Sequence, residues 1–222
     1  MQLILLGLPG AGKGTQAQLL AQRQGLLHIS TGDMFRQAAA EGTDLGKRAQ
    51  EYMSRGELVP DEVTIGMLLD RIQRPDAAAG IMLDGFPRTI PQAEALDAAL
   101  ANQNRAIDAV LYIKVPEDLL MARLTGRLSC PNSGAIYHEL TSPPAAKGKC
   151  DRCGADLTQR ADDRPDTVRA RLDTNRTWTE ALADYYEKQG KLHAVDGAGE
   201  PDQVTARLTA EIDAVSAAGE KA

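Results

Sequence analysis

Residues 7–15 read G-L-P-G-A-G-K-G-T and follow directly on the run Q-L-I-L-L at 2–6. A short apolar run that stops at glycines has the length of a buried strand, and the pattern from Lys13 onward is helical. Strand, glycine-rich turn and helix in that order constrain the chain strongly. Backbone N–H groups at a helix N-terminus, together with the helix dipole, favour an anion. Gly7, Gly10, Gly12 and Gly14 let the backbone wrap closely around a phosphate, and Lys13 adds a mobile positive charge. The general pattern puts Ser or Thr immediately after the lysine. Here Gly14 stands in that place and the hydroxyl of Thr15 comes one residue late. A tight strand–helix turn that binds nothing is the plain alternative, and four glycines with the lysine weigh against it.

Apolar runs at 3–6, 80–84 and 109–114 have the continuity of strands buried on both faces of a parallel sheet. Shorter runs at 27–29 and 192–195 are weaker candidates. Helical patterns occupy 13–24, 34–40, 45–55, 61–74, 90–101, 116–124, 165–189 and 201–216. Pro60-Asp61, and Asp163 with Pro165 just inside, mark two of their starts. Strands alternating with helices predict an α/β fold with a parallel sheet. From about 127 to 163 the helical periodicity lapses, and Pro, Gly and Cys appear among short alternating pieces such as A-I-Y-H at 135–138. This predicts a small, mostly β lobe inserted between two helices. Its composition does not fill a core, so a staple of another kind suits it. The last residues, 217–222, are expected to fray.

The 222 residues suffice for one substantial core with inserted lobes. The net charge of −6 argues against a sequence-independent grip on nucleic acid, although a local basic cleft stays compatible with it. The leading apolar run is too short for a secretory signal, and no stretch approaches the roughly 20 apolar residues of a membrane span. A cytoplasmic protein is expected.

Asp84 ends the run I-M-L-D of 81–84, where a carboxylate would hold hydrated magnesium beside the phosphate loop. Capping of the next helix is its simpler role. Arg36, Arg88, Arg123, Arg127, Arg160 and Arg171 fall at element ends or flank the inserted lobe. There their planar forks could converge on phosphate oxygens. For any one of them, a solvated surface position is the ordinary alternative.

The three cysteines, Cys130, Cys150 and Cys153, cluster in the insert as C-P-N-S and C-D-R-C. A cysteine at Ser133 would complete C-x2-C-x16-C-x2-C, a structural zinc pattern. As the chain stands, water or His138 could supply the fourth ligand, and three free thiols without metal are the alternative. An odd, clustered count makes a poor disulfide framework. A zinc ribbon reading nucleic acid would account only for 130–153, and the acidic balance counts against it.

Four motifs now stand in register: G-L-P-G-A-G-K-G-T (7–15), I-S-T-G-D-M-F-R (29–36), L-D-G-F-P-R-T (83–89) with Gln92, and Q-R-A-D-D (159–163). Together they closely resemble the bacterial adenylate kinases of the long-lid type, from residue 2 to about residue 213. The glycine after Lys13 belongs to that resemblance, being characteristic of nucleoside monophosphate kinases. The resemblance implies the P-loop NTPase three-layer fold with a central parallel five-stranded sheet. It divides the chain into a core (1–29, 60–122 and 165–222), a helical lobe that binds the nucleoside monophosphate (30–59) and a lid (123–164), with both lobes mobile.

It also implies the reaction ATP + AMP ⇌ 2 ADP, with Mg2+ accompanying ATP, and a monomer. Lys13, Arg88, Arg123, Arg160 and Arg171 would carry catalysis. Gly10, Ala11, Gly12, Gly14 and Thr15, with Lys13, Arg123 and Arg127, would hold the ATP phosphates. Tyr137 and His138 would lie with Arg123 near the ATP adenine. Arg36 and Arg88 would grip the AMP phosphate, with Arg160 and Arg171 reaching it from the transfer side. Thr31, Gln92 and the backbone of Glu57, Leu58 and Val59 would recognise the AMP adenine beside Gly85. Asp84 would order magnesium waters, and Asp162 and Asp163 would steady the closed lid through arginines. No side chain is needed as nucleophile or base, His28, His138 and His193 included. Sibling kinases of UMP, CMP or GMP are the nearest alternative. The long insert counts against the short-lid pyrimidine kinases, and Thr31 with Gln92 favours adenine. A GTPase-type switch would need N-K-x-D and a hydroxyl directly after Lys13, and the sequence has neither.

Overall fold

The computed structural model describes residues 1–219. Its central strand is β1 (Gln2–Leu6), which lies between β3 (Ile81–Asp84) and β4 (Ala109–Lys114). β2 (Leu27–Ser30) flanks β3, β7 (Leu192–Asp196) flanks β4, and all four pairings are parallel. The five-stranded parallel sheet is therefore present. Its two faintest candidates, β2 and β7, are the edge strands, where burial asks less of each side chain.

Side chains alternate across the sheet with a period of two. Leu3 and Leu5 join an apolar cluster with α1 (Lys13–Gln24), α6 (Glu117–Thr125) and α8 (Pro201–Gly219). Ile4 and Leu6 join the opposite cluster with α4 (Asp61–Ile72), α5 (Ile90–Ala101) and α7 (Pro165–Glu187). Both faces are covered, which is why the run at 3–6 is continuously apolar. Each such side chain contributes about 1.5–3 kcal/mol on burial.

Helix ends differ from the sequence pattern where capping side chains decide them. Ser30 Oγ accepts from Asp33 N at 3.3 Å, so α2 (Thr31–Ala40) begins three residues before the expected Met34. Thr43 caps α3 (Asp44–Ser54), and Thr89 caps α5. Asp84 caps neither. Asp163 is not the cap of α7: Arg164 occupies that position, and the Asp163 carboxylate is spent on arginines. α4 and α7 end two residues earlier than the pattern suggested, at Ile72 and Glu187. Residues 217–219, expected to fray, continue α8, and 220–222 lie outside the described residues.

Two satellites sit on the sheet domain. α2 and α3 bury a small core of Phe35, Ala49 and Val59, and Gly56 comes so close to α7 that a Cβ there would lie 2.8 Å from Arg171 Cγ. The insert pairs β5 (Arg127–Ser129) with β6 (Ile136–His138) antiparallel, around a cluster of Cys130, Ala135, Tyr137 and Cys150. Among the described residues no helix is long and apolar enough to cross a membrane.

Tyr186 is fully buried in the second cluster and its hydroxyl has no partner, whereas the neighbouring Tyr185 donates to Asp97 Oδ2 at 2.9 Å. Burial raises the Tyr186 phenol well above its ordinary pKa. Removing an unsatisfied buried hydroxyl relieves its desolvation cost. Tyr186→Phe should therefore leave stability unchanged or raise it by about 1 kcal/mol in urea unfolding.

Candidate active site

The register sets Leu5 beside Asp84 and Leu6 beside Tyr112, so the loop leaving β1 emerges next to the carboxyl end of β3. Open parallel sheets bind ligands in that crevice. Within the loop, Gly10 (φ 84°) and Gly12 (φ 93°) take left-handed backbone that other residues rarely adopt. A Cβ on Gly12 would meet nothing within 4 Å, so this stretch of loop faces open space. Gly14 answers the question its position raised. A Cβ there would sit 3.3 Å from Asp84 Oδ2, so a hydroxyl side chain directly after Lys13 would crowd the carboxylate. Thr15 lies one residue on and lines the cleft.

Lys13 Nζ donates to Gly7 O at 2.7 Å and Leu8 O at 3.0 Å. Burial lowers its pKa to about 8, against the opposing pull of Asp84. Burial, reinforced by Arg171, lowers Arg88 to about 10. Burial, with Arg36 and Arg127 nearby, does the same to Arg160. These cations face one another across a cleft and repel.

Buried carboxylates hold part of the set. Asp163, fully buried, accepts from Arg127 Nε at 2.8 Å, Arg127 Nη2 at 2.5 Å and Arg171 Nη1 at 3.1 Å. Arg171 Nη1 also donates to Asp162 O at 2.7 Å. Burial works to raise the Asp162 pKa, but Arg171 and Arg127 hold it below the usual carboxylate range. Arg160 Nε donates to Ser129 Oγ at 2.9 Å, and Arg88 Nε to Gly85 O at 2.8 Å. Arg36 pairs with Asp33, and Arg123 donates to Gly197 O at 3.3 Å.

Two hollows meet at this cluster. The smaller, of about 580 Å³, is lined by Thr31, Glu57, Leu58, Val59, Gly85 and Gln92. The larger, of about 2010 Å³, runs along Gly10, Gly12, Lys13, Gly14 and Thr15 past Asp84, Arg123, Arg127 and Arg160. Arg36, Arg88 and Arg171 line both. Ala11 is buried under the loop.

Two expected residues have other partners in this structure. Tyr137 is buried within the insert, where its hydroxyl accepts from Asp151 N at 2.8 Å and lies 3.6 Å from Cys150 Sγ. His138 Nδ1 accepts from Leu140 N and Thr141 N, which leaves Nε2 to donate to Ala122 O at 3.1 Å. Neither lines the two hollows. Arg160, expected at both substrates, lines only the larger one.

The family model described as "Adenylate kinase" matches residues 5–191. The chain belongs to the adenylate kinase family. It is 54% identical over 208 residues to the adenylate kinase of Geobacillus sp. (strain WCH70), spanning 94% of this chain and 96% of that one. Identity to the adenylate kinase of Archaeoglobus fulgidus is 51% over 215 residues, 97% of this chain and 99% of that one. Against the Streptomyces griseus adenylate kinase it is 51% over 208 residues, 93% and 95% of the two chains.

Three further residues hold side chains that line the hollows. Ser129 holds Arg160, Asp33 holds Arg36, and Asp61 holds Gln92. Asp33 and Asp61 each stand in the first turn of a helix, where an acidic residue reads as a dipole partner. Nothing in the local sequence singles out Ser129.

Asp163→Ala leaves Arg127 without its paired carboxylate and Arg171 with Asp162 alone. It should cost about 3–5 kcal/mol in urea unfolding, the usual loss when one member of a buried ion pair is removed. Removing Arg171 as well should return part of that loss. Asp162, with its pKa lowered, contributes stability that is complete above the ordinary carboxylate range and is lost as pH falls through its folded pKa.

Proposed function

We propose that this chain transfers the terminal phosphoryl group of Mg-ATP to AMP, reversibly giving two ADP, with AMP in the smaller hollow and the ATP phosphates along the glycine-rich loop. One observation carries the transfer reading: Arg36, Arg88 and Arg171 line both hollows, while the glycine-rich loop and Lys13 line only the larger. A wall of guanidiniums shared by two cavities suits a group that leaves one polyphosphate and joins another. An oxygen of the AMP phosphate attacks the γ-phosphorus directly, forming the new P–O bond as the bond to the β,γ-bridging oxygen breaks and ADP departs. Catalysis is positioning and charge stabilisation, without a protein nucleophile.

In this reading Lys13, Arg123, Arg127 and Arg160 hold the donor phosphates, and Arg36 and Arg88 the acceptor phosphate. Arg171 spans the transfer, and Thr31 and Gln92 face the AMP base. Asp84 is the carboxylate that would order the waters of magnesium. Its place at the strand end, against Gly14 and in the hollow that Thr15 also lines, fits a hydrated cation at the loop. When bound with ATP, the metal neutralises phosphate charge.

Residues 30–59 and 123–164 are the lobes that close over AMP and ATP, carried on a core of 1–29, 60–122 and 165–222. Their separate small apolar clusters support this division. Lobe closure around substrate is established for adenylate kinases and keeps water from the reacting phosphate. Family membership supports a cytoplasmic monomer, and the net charge of −6 supports small nucleotides rather than nucleic acid as partners.

The lid takes a structural zinc ion in this proposal. The sulfurs of Cys130, Cys150 and Cys153 lie within 4.8 Å of one another. Ser133 Oγ is 3.2 Å from Cys150 Sγ, so the fourth position falls to this hydroxyl or to a water it holds. Hydrogen bonding from Ser133 draws the Cys150 thiol down to about 6, which favours the thiolate that a metal needs. The ion would staple a lobe that has little core.

Mg-ATP with AMP should yield ADP from both nucleotides, and GMP, CMP, UMP and dTMP should be poor acceptors. ATP hydrolysis without transfer would overturn the kinase reading, and transfer mainly to another monophosphate would overturn the role of Thr31 and Gln92. Elemental analysis of the purified chain should find one zinc per molecule. A strong chelator should remove it and lower the melting temperature, and Ser133→Cys should slow that removal.

A further inference from the structure

Asp61 opens α4, one proline beyond the stretch Glu57, Leu58 and Val59 that lines the smaller hollow. Among the described residues its carboxylate pairs with no arginine. Asp61 Oδ1 accepts from Gln92 Nε2 at 2.7 Å, and Asp61 Oδ2 accepts from the Thr89 hydroxyl, also at 2.7 Å. Thr89 Oγ1 in turn accepts from the Gln92 backbone N–H at 3.3 Å. The three residues close a ring that grips Gln92 at both its backbone and its amide tip. On the other side of the amide, Gln92 Oε1 accepts from Arg88 N at 2.8 Å. Gln92 is only 1% exposed.

This arrangement fixes which way round the amide lies. A carboxylate only accepts and a backbone N–H only donates, so a flipped amide would oppose both partners at once. The terminal torsion of glutamine is otherwise soft and nearly two-fold. With these two bonds made, the amide keeps one N–H and one carbonyl lone pair. That donor and acceptor, in the order the two bonds fix, match a 6-aminopurine, which offers an acceptor at N1 and a donor at N6. A 6-oxopurine presents the reverse, a donor at N1 and an acceptor at O6.

We infer that Asp61 is a positioning residue for base specificity: by holding the Gln92 amide in one orientation it sets the polarity that admits 6-aminopurine and rejects 6-oxopurine monophosphates. This rests on the reading that the AMP base lies against Gln92.

The test uses the full chain with Mg-ATP at saturation and two acceptors, AMP and IMP, which differ at the 6-position and N1 of the base. The variants are Asp61→Ala, Asp61→Asn and, as reference, Gln92→Leu. Asp61→Ala should raise the AMP KM roughly tenfold, the weight of one well-placed hydrogen bond, with little change in kcat or in the ATP KM. IMP should lose nothing and can only gain from a freed amide, so the AMP-to-IMP ratio of kcat/KM falls by at least the same factor. Asp61→Asn keeps the shape of the side chain and can pair with either amide orientation, so it should lose roughly threefold of the ratio. If Asp61 merely starts α4, both variants lower stability, or lower kcat/KM equally for both acceptors. Equal losses of that kind, or an unchanged ratio in the folded variants, would overturn the inference. The Gln92→Leu reference separates the two claims. A collapsed ratio there with an intact one in the Asp61 variants sinks only the role of Asp61. An intact ratio in Gln92→Leu sinks the assignment of the base to this pocket.

Discussion

The placement of β1 between β3 and β4 is the constraint on which the rest of the molecule depends. Its parallel pairing sets the level at which three strand ends emerge, and the phosphate loop and Asp84 take their positions from it. A slip of one residue would move a strand end by about 3.3 Å and exchange the faces on which its side chains pack. Leu3 and Leu5 fit one helical layer and Ile4 and Leu6 the other, so packing on both sides resists that slip. The precision of the site is inherited from apolar contacts that never touch it.

At the strand ends the balance reverses, and electrostatics works against compactness. Eight cationic side chains line the larger hollow, counting Arg152 of the insert, against two carboxylates, Asp33 and Asp84. The lowered pKa values of Lys13, Arg88 and Arg160 register that crowding together with burial. Asp162 and Asp163 offset part of it by tying Arg127 and Arg171 to the base of the insert. They set the directions of the guanidiniums as well as their charge, as preorganised phosphate stabilisation requires.

What could be read from the chain beforehand follows the range of each interaction. The strand at 3–6, the glycine loop and the helix after Lys13 are local, and each was legible in period and residue type. The convergence of the arginines was visible only as placement at element ends, because a guanidinium's partner can lie anywhere in the fold: Arg127 meets Asp163 36 residues away. Ser129 and Asp61 were illegible for the same reason. Tyr137 shows the opposite case. The family resemblance put it near a nucleotide, while its alternation in β6 turns its ring inward to the cysteines. One helix start was misjudged, at Met34, where the Ser30 hydroxyl decides it; α7 starts at Pro165 as its proline indicates, while Asp163 serves arginines instead of capping it.

The satellite core of the insert has a thermal consequence. It buries four side chains, Cys130, Ala135, Tyr137 and Cys150, and is otherwise tied by sulfur, hydroxyl and backbone hydrogen bonds. The heat-capacity change on exposing a structure comes mainly from its apolar surface. Loosening of this lobe therefore carries a small heat-capacity increment, and its free energy varies almost linearly with temperature. The sheet domain, with its two large clusters, follows a strongly curved stability profile instead. The two parts answer warming and cooling differently, so the balance between a settled and a loosened lobe shifts with temperature while the sheet domain remains folded.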